Sequence, residues 1–490
     1  MRNATQRGAA GMAGGRRLLV GAAVGAGLLA GGGGAFGGEA PAGTPAKPNF
    51  VVILTDDQGY QDLGCFGSPN IRTPNIDKMA GEGMKFTAFY ACAPVCSPSR
   101  AGLMTGCYPK RVGVPNVLYN YSRDGLNPNE FTIAEAAKTA GYSTMCVGKW
   151  HLGHQKEMLP TAQGFDSYYG LPYSNDMCKI KGVPASDAAG LDKGWAQFKE
   201  SSKWFNVPLM RGDQVVEQPA DQTRLTDRYT DEAVRFIKEN KDKPFLLYLA
   251  HSMPHVPLYV PEDRYDPDPK KAYRITIEHL DSSTGKVLDA IREAGIDKRT
   301  VVVFTSDNGP WLVKKHHGGS ALPLKAGKAT TMEGGMRVPC VMWAPGLIPA
   351  GKACPEVTSN IDLLPTFAEL AGVELPKDRV IDGRSILPLM KGEAGAKSPH
   401  EAFYYYAGDK LQAVRMGKWK VRSLNGKFDQ AEIWDLTGVA GEGQKIRKED
   451  HAELVESMLK NMRDFDKDLA ARARPAGGVA TGQKSSAKEE

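Results

Sequence analysis

Four short runs of continuous apolar residues, rich in Val, Ile and Leu, restrict the folds open to this 490-residue chain. They lie at residues 50–55, 142–147, 245–250 and 301–305. Helical patterns separate them, at 132–140, 227–240 and 276–294. Apolar strands that alternate with helices are typical of a parallel sheet covered on both faces. The sequence therefore predicts an α/β protein with a large, mostly parallel sheet flanked by helices.

The pattern changes after Met390. A polar stretch at 391–399 precedes four short strand candidates, at 403–406, 412–416, 419–422 and 432–436. Turn residues between them indicate antiparallel pairing, and an amphipathic helix follows at 451–468. We predict a catalytic domain at 49–390, a C-terminal antiparallel subdomain at 400–470 and a disordered tail at 473–490.

The first 38 residues have the anatomy of an export signal. A basic stretch ends in Arg16-Arg17, a Gly/Ala-rich apolar run follows, and small residues occupy 31–38. The paired arginines indicate the twin-arginine route. We predict a signal peptide at 1–38, a linker at 39–48 and a periplasmic or secreted mature protein. A disordered Gly/Ala-rich leader is the alternative.

Charge and cysteine content narrow the possible partners. Residues 1–38 contain four arginines and no acidic residue, so their removal lowers the formal net charge from +6 to +2. A nearly neutral protein gives no reason to expect nucleic acid as a partner. Eight cysteines are too sparse for a small disulfide scaffold, and the sequence leaves any pairing open.

Polar residues follow each of the four predicted strands. They are Asp56 and Asp57, Lys149 and His151, His251 and His255, and Asp307 and Asn308. Parallel strands place their carboxyl ends at one edge of a sheet, so we expect one shared site. The Asp and Asn side chains are oxygen donors, which favour calcium or magnesium over zinc. Each pair taken alone is also consistent with a simple turn.

The segment Cys96-Ser97-Pro98-Ser99-Arg100 predicts the start of a helix, with Ser97 as the N-cap and Pro98 in the first turn. Cys96 would precede the helix N-terminus, where the dipole favours an anion, and Arg100 would add a cation. An ordinary buried cysteine explains the same pattern. With the lysines and histidines of the strand ends and Lys328, the segment is consistent with a pocket for a tetrahedral anion.

Six motifs, in order, resemble those of the sulfatase family. Residues 96–106, CSPSRAGLMTG, are similar to the first sulfatase signature, and residues 148–153, GKWHLG, to the second. The others are Asp56-Asp57 after a strand, 254–257 (PHVP), 306–309 (SDNG), and Gly327-Lys328 through 333–339 (EGGMRVP). The resemblance covers about residues 48–440. By it the chain is identified as a formylglycine-dependent type I sulfatase of the alkaline-phosphatase-like superfamily.

The resemblance implies a large mixed sheet between helices and a small C-terminal antiparallel sheet with a helix. It also implies that a separate formylglycine-generating enzyme oxidises Cys96 to formylglycine. One hydroxyl of the hydrated aldehyde would attack sulfur and displace the alcohol. The other would help to expel sulfate, a step for which a plain serine has no second hydroxyl.

The family's metal site carries over to matching positions as an expectation. One calcium ion would be held by Asp56, Asp57, Asp307 and Asn308, and it would contact the formylglycine formed from Cys96. Asp307 would also act as a base on the attacking hydroxyl.

The remaining roles implied by the resemblance concern the sulfate group. Its oxygens would be bound by Lys149, Lys328 and Ser174, the last within residues 171–176 (LPYSND), which resemble the arylsulfatase A-like branch. Arg100 would stabilise the hydrated nucleophile. His255 or Lys328 would protonate the leaving oxygen, and His151 would take the proton that triggers sulfate release.

Two alternatives stay open. A phosphatase or phosphonate hydrolase of the same superfamily would use two zinc ions, or a formylglycine in a less cationic site. A catalytically silent sulfate-binding homologue would be expected to lack a site residue, and none is missing. One departure from the family lies at 433–442, where the usual Asp-Pro-x-Glu turn is replaced.

The leaving alcohol is expected to contact the segment at 179–219, which contains Trp195 and Trp204. Aromatic faces suit sugar or aryl rings. We therefore expect a small-molecule or oligosaccharide sulfate ester as substrate, and sulfated sugars or polysaccharide fragments before other classes.

Overall fold

The computed structural model describes residues 47–180, 202–438 and 441–478. The predicted signal peptide, residues 39–46, Trp195 and residues 479–490 lie outside them. In chain order the strands are β1 (Asn49–Thr55), β2 (Met84–Phe86), β3 (Phe89–Tyr90), β4 (Asp124–Gly125), β5 (Ser143–Gly148), β6 (Ser167–Gly170), β7 (Leu209–Arg211), β8 (Gln214–Glu217), β9 (Phe245–Ala250), β10 (Thr300–Ser306), β11 (Cys340–Trp343), β12 (Lys352–Cys354), β13 (Thr358–Ser359), β14 (Phe403–Ala407), β15 (Lys410–Met416), β16 (Trp419–Arg422), β17 (Glu432–Asp435) and β18 (Gly477–Gly478). The α-helices are α1 (Pro74–Glu82), α2 (Cys96–Thr105), α3 (Ile133–Thr139), α4 (Leu225–Glu239), α5 (Ala272–Glu293), α6 (Glu333–Met336), α7 (Leu363–Ala371), α8 (Leu387–Met390) and α9 (Ala452–Ala471). Within these described ranges, no helix has the length and apolar character needed to cross a membrane.

Ten strands form one mixed sheet in the order β12-β2-β11-β10-β1-β9-β5-β6-β7-β8. Its five central strands, from β10 to β6, run parallel, and antiparallel pairs lie on both sides of them. The register places Thr55 opposite Ser306, and Ala250 opposite both Leu54 and Gly148. The chain therefore leaves β1, β5, β9 and β10 at the same edge of the sheet, as the sequence predicted.

Strand β1 shows why this sheet is covered on both faces. Phe50, Val52 and Leu54 belong to one hydrophobic cluster, which also contains residues of α2, α3 and α7. Val51 and Ile53 point the other way, into a cluster with residues of α1, α4 and α5. Successive strand residues face opposite sides of a sheet, so a continuous apolar run requires a helical layer on each side.

The C-terminal subdomain is a four-stranded antiparallel sheet in the order β14-β15-β16-β17, accompanied by α9. Its aromatic strand β14 shares a hydrophobic cluster with Tyr90, Tyr108 and Ile361, which precede it in the chain. The subdomain is thus packed onto the catalytic part through a common core. Together the two sheets confirm the predicted fold class.

Two local predictions were wrong. Ser97 is not the N-cap of α2, because the helix already begins at Cys96, and the Ser97 hydroxyl oxygen instead accepts the Leu118 amide at 3.1 Å. Residues 473–478, assigned to a disordered tail, are held in place: Arg474 forms an ion pair with Glu130, and β18 pairs with β4. Composition alone did not reveal these long-range partners.

A buried ionic network joins the C-terminal sheet to α6. Lys420 on β16 donates from its Nζ to Glu333 at 3.0 Å and to Glu442 at 2.6 Å, and all three side chains are buried. Burial raises the pKa of the Glu333 carboxyl, but Lys420 and nearby arginines lower it to about 2. Glu442 also accepts the Glu333 amide. The segment that departs from the family's usual turn therefore supplies a buried carboxylate to this network.

We expect Lys420→Met to destabilise the protein by about 3–5 kcal/mol, because it leaves a buried carboxylate without its cation. The matched control is Lys418→Met, since Lys418 is 53% exposed and its pair with Asp435 contributes little. Thermal and denaturant unfolding of both variants would check this. Equal stability of the two variants would contradict the assignment of Lys420 as the central cation of the network.

Candidate active site

The edge where the four parallel strands end carries a dense group of buried charges. The predicted site residues found there are Asp56, Asp57, Cys96, Arg100, Lys149, His151, Ser174, His255, Asp307, Asn308 and Lys328. His251 is the exception, because its Nε2 lies 3.3 Å from Ser283 of α5. Burial lowers the pKa of His251 to about 3, so it is a neutral core residue.

Asp56, the first residue after β1, is fully buried and lies close to two cationic side chains. Its Oδ2 accepts a hydrogen bond from Lys149 Nζ at 2.6 Å and lies 3.7 Å from the Arg100 guanidinium. Burial alone raises the pKa of Asp56, but Lys149, Arg100 and Lys328 together hold it well below its usual value. The carboxylate is therefore ionised. Its second oxygen, Oδ1, has no hydrogen-bond partner in the part of the chain that the structure describes.

Asp57 connects the ends of β1 and β10. Its amide donates to Asp307 Oδ1 at 3.1 Å, and its Oδ1 accepts from Asn308 Nδ2 at 2.7 Å. Its Oδ2 accepts from Lys328 Nζ at 2.7 Å. Asp57 adopts a φ of +65°, a costly conformation for a residue with a side chain. These contacts hold it there and aim both carboxylate oxygens into the site.

Arg100 ties α2 to two strand ends. Its Nε donates to Asp307 Oδ2 at 2.9 Å, and its Nη1 donates to the Lys149 carbonyl at 2.7 Å. Burial and the nearby Asp56 raise the pKa of Asp307 to about 7, so this carboxyl can exchange a proton near neutral pH. Arg100 thus fixes the side chain of Asp307 and the backbone at Lys149 with one guanidinium.

Cys96 is the first residue of α2 and is buried at the centre of this group. Lys328 Nζ lies 3.9 Å from its sulfur. Burial raises the pKa of the Cys96 thiol to about 11, despite the opposing effect of Lys149 and Lys328. The unmodified side chain is therefore a protonated thiol at neutral pH, and a thiol is a weak nucleophile and a weak metal ligand.

Lys149, Ser174 and His255 complete the polar wall around Cys96. Lys149 Nζ donates to Ser174 Oγ at 3.2 Å in addition to Asp56. His255 directs Nδ1 to the Val256 carbonyl at 2.7 Å, which leaves Nε2 3.6 Å from Asp57 Oδ2. Burial and Lys328 lower the pKa of His255, so the ring is neutral with Nε2 available in the site.

His151 is also held as a neutral imidazole. Its Nε2 lies 2.7 Å from the Leu118 carbonyl, to which it donates, and its buried Nδ1 has no partner within the described ranges. Burial, Lys149 and Arg100 hold the pKa of His151 well below its usual value. The residue has a φ of +62°, which is another strained position at this edge. The Nδ1 atom carries the lone pair of the neutral ring, so it can accept a hydrogen bond, although the lowered pKa makes it a weak base.

The donor set fits a hard cation. Ligand atoms of Asp56, Asp57, Cys96 and His255 lie within 4.8 Å of one another. Asp56 Oδ1 and Asn308 Oδ1 are buried oxygens without hydrogen-bond partners among the described residues, as expected for cation ligands. Carboxylate and amide oxygens suit calcium better than zinc. His255 joins this group although the sequence assigned it to the substrate alone.

Two neighbours of the site were not singled out from the sequence. Asn175 places its Oδ1 3.2 Å from His255 Nδ1, and the Trp311 ring lies 5.5 Å from the His255 ring. Lys328 Nζ is 4.4 Å from the Trp311 centroid. Both residues lie within three positions of a predicted site residue, Ser174 or Asn308, which was the available signal.

The fold and the site are those of a hydrolase that acts on an anionic ester. Residues 48–373 match the family model described as Sulfatase, and residues 327–468 match the one described as N-sulphoglucosamine sulphohydrolase, C-terminal. The chain belongs to the sulfatase family. It is an enzyme that hydrolyses sulfate esters. The family assignment therefore favours the expected sulfatase reaction over the phosphatase alternative.

Individual relatives agree with this assignment. N-acetylgalactosamine-6-sulfatase of Canis lupus familiaris is 37% identical over 399 residues, which cover 78% of this chain and 73% of the relative. Arylsulfatase G of Mus musculus is 34% identical over 467 residues, which cover 86% and 88%. The crystal structure of Ps i-CgsB is 32% identical, with a TM-score of 0.74 over 88% of this chain and 95% of that chain.

Proposed function

We propose that the protein removes sulfate from sulfated saccharides, with a formylglycine made from Cys96 and one calcium ion. The observation that carries this proposal is the position of Cys96. It begins α2 inside a buried group of carboxylates, lysines and imidazoles. A protonated thiol is a weak nucleophile at this position, whereas a hydrated aldehyde would lie next to both proton donors and proton acceptors. We further propose that residues 1–38 direct export of the protein.

The formylglycine would be made by a separate generating enzyme. It would supply a nucleophile with two hydroxyl groups at position 96. Arg100 supports this assignment, because it approaches from the first turn of α2 and is already fixed by Asp307. We propose Asp307 as the base on a hydroxyl at position 96, because its buried carboxylate interacts electrostatically with the side chain there.

Calcium would be held by Asp56, Asp57, Asp307 and Asn308, with residue 96 beside it. It would supply positive charge toward a sulfate oxygen. The unpaired oxygens of Asp56 and Asn308 support this ligand set. In their present contacts, Lys149 and Lys328 neutralise Asp56 and Asp57, so the same lysines can turn to an incoming anion.

Sulfate oxygens would be bound by Lys149, Lys328 and Ser174, which adjoin one another or Cys96. Lys328, which pairs with Asp57, is placed to give a proton to the leaving oxygen, and His255 Nε2, which faces the same carboxylate, is placed to accept a hydrogen bond. His151 would receive a hydroxyl proton from residue 96 at its vacant Nδ1 as sulfate departs. Because buried groups cost little reorganisation, such contacts stabilise a transition state effectively.

A saccharide is the best-supported leaving group. The relative N-acetylgalactosamine-6-sulfatase is named for a sulfated amino sugar. Ps i-CgsB, at 30% identity and a TM-score of 0.74, has a crystal structure in complex with k-i-k-neocarrahexaose. We therefore propose a sulfated sugar or oligosaccharide as substrate for this chain.

The modification has a direct test. We expect mass spectrometry of the peptide that contains residue 96 to show the loss of the thiol and a group that reacts with aldehyde reagents. Cys96→Ser should retain the fold but lose nearly all turnover, because serine offers only one hydroxyl. Full activity of protein with an intact Cys96 thiol would refute the mechanism.

Calcium binding can be measured without turnover. We expect calcium at about 100 times its dissociation constant to stabilise the wild type by about 2.7 kcal/mol, and Asp57→Asn to lose this stabilisation. Asp263→Asn is a matched control, because Asp263 is an exposed carboxylate and is not among the proposed ligands. Thermal unfolding and elemental analysis would check both variants. Calcium-dependent stabilisation that persists in Asp57→Asn would exclude this ligand.

The choice of sulfate over phosphate tests the proposed reaction. A sulfate monoester carries one negative charge and a phosphate monoester nearly two, and the site offers single cations rather than a second metal. We expect a higher kcat/KM for 4-nitrophenyl sulfate than for 4-nitrophenyl phosphate. Lys149→Ala and Lys328→Ala should each lower sulfate hydrolysis by about 10²–10³-fold.

The control for the lysine variants is Lys325→Ala, because Lys325 is exposed and lies three residues before Lys328. It should retain wild-type kinetics. If enzyme that contains formylglycine at position 96 prefers the phosphate ester, the proposed reaction is wrong, and the fold assignment is unaffected.

A further inference from the structure

Two exposed tyrosines form a rigid aromatic surface near the site. Tyr119 is 47% exposed and Tyr121 is 74% exposed, and their rings stack with centroids 5.3 Å apart and planes 6° apart. The turn that carries them is closed twice by Ser122, whose amide donates to the Tyr119 carbonyl at 2.9 Å and whose Oγ accepts the Tyr119 amide at 2.8 Å. Exposed rings held in one orientation suggest a binding surface rather than a packing role.

Leu118, the residue before Tyr119, is hydrogen-bonded to residues within and beside the active site. The Leu118 amide donates to Ser97 Oγ at 3.1 Å, and the Leu118 carbonyl accepts from His151 Nε2 at 2.7 Å. Since Ser97 adjoins Cys96 and consecutive Cα atoms are 3.8 Å apart, the Leu118 amide lies within roughly 10 Å of the Cys96 Cα. The aromatic pair therefore stands at the border of the site, next to the residues that orient the reaction.

A second border segment is cationic. Lys314 Nζ lies 4.3 Å from the Trp311 centroid, and Lys328 Nζ contacts the same ring. Lys314 is thus close to a sulfate-binding lysine, and the next residues, Lys315 and His316, are exposed. Lys314 and Lys315 add positive charge outside the buried pocket, and His316 adds an exposed imidazole beside them.

We propose that the two borders form a subsite for an extended anionic saccharide. A sugar ring beyond the one that carries the reacting sulfate would lie against the Tyr119–Tyr121 surface, and Lys314, Lys315 and His316 would bind a further sulfate or carboxylate of the same saccharide. This inference rests on the proposed function and deepens it. The buried lysines enclose the reacting sulfate, so the exposed surfaces are left for the remainder of the substrate. Tyrosine suits this role, since its ring is apolar and its hydroxyl can bond to sugar hydroxyls.

The test compares sulfate release from 4-nitrophenyl sulfate with release from a series of sulfated mono-, di- and hexasaccharides. We expect the wild type to have the highest kcat/KM for a di- or hexasaccharide. Tyr119→Ala and Tyr121→Ala should each lower that value by about two- to tenfold and leave 4-nitrophenyl sulfate unaffected. Tyr119→Phe and Tyr121→Phe should retain most of the saccharide activity, because they keep the stack. Leu424→Ala, which changes an exposed residue of the C-terminal subdomain, is the control.

The cationic border has its own measurement. Lys315→Ala combined with His316→Ala should raise KM for the hexasaccharide several-fold at low ionic strength and have little effect in 0.5 M salt, because exposed charges are screened there. KM for 4-nitrophenyl sulfate should not change at either salt concentration. A salt-independent loss for both substrates would contradict a role in binding a distant anionic group.

The outcomes separate this inference from the proposed function. If the wild type hydrolyses 4-nitrophenyl sulfate but no saccharide more efficiently, the subsite is wrong and the sulfatase mechanism stands. If the tyrosine variants lose both activities equally, the turn only positions His151, and the subsite is again wrong. If wild-type enzyme that contains formylglycine at position 96 releases sulfate from none of these esters, both the proposed function and the subsite are wrong.

Discussion

Compensation of buried charge is the constraint on which the site and its surroundings depend. Asp56, Asp57 and Asp307 are almost inaccessible to water, where an uncompensated carboxylate costs several kcal/mol. Arg100, Lys149 and Lys328 are buried with them, and each contacts at least one of the three. Because these partners come from α2, β5 and the segment before α6, the charges can be satisfied only when distant parts of the chain are in place.

The compensation leaves specific atoms unsatisfied, and these atoms are suited to chemistry. Among the described residues, Asp56 Oδ1, Asn308 Oδ1 and His151 Nδ1 are buried without hydrogen-bond partners, in a region where most polar groups are paired. The backbone around them is also strained, with positive φ at Asp57 and His151. A site that is rigid, charged and partly unsatisfied can bind a cation and an anion with little rearrangement.

Much of the fold was accessible from the sequence because its signals are local and repeated. The four apolar runs became β1, β5, β9 and β10 within a residue or two of the predicted limits, since a strand buried on both faces tolerates few polar residues. The cap at Ser97 and the disorder at 473–478 were wrong for the opposite reason. Leu118, Glu130 and β4 are distant partners, and local composition carries no information about them.

The sequence by itself determined the sulfatase family, the order of the elements and the identity of the polar residues at the strand ends. Only the tertiary structure decided how those residues pair: Lys149 with Asp56, Lys328 with Asp57, and Arg100 with Asp307. It also brought Tyr119 and Tyr121 to the border of the site through Leu118. The physical reason is that a motif fixes which groups are present, whereas burial and long-range hydrogen bonds fix which groups meet and in what protonation state.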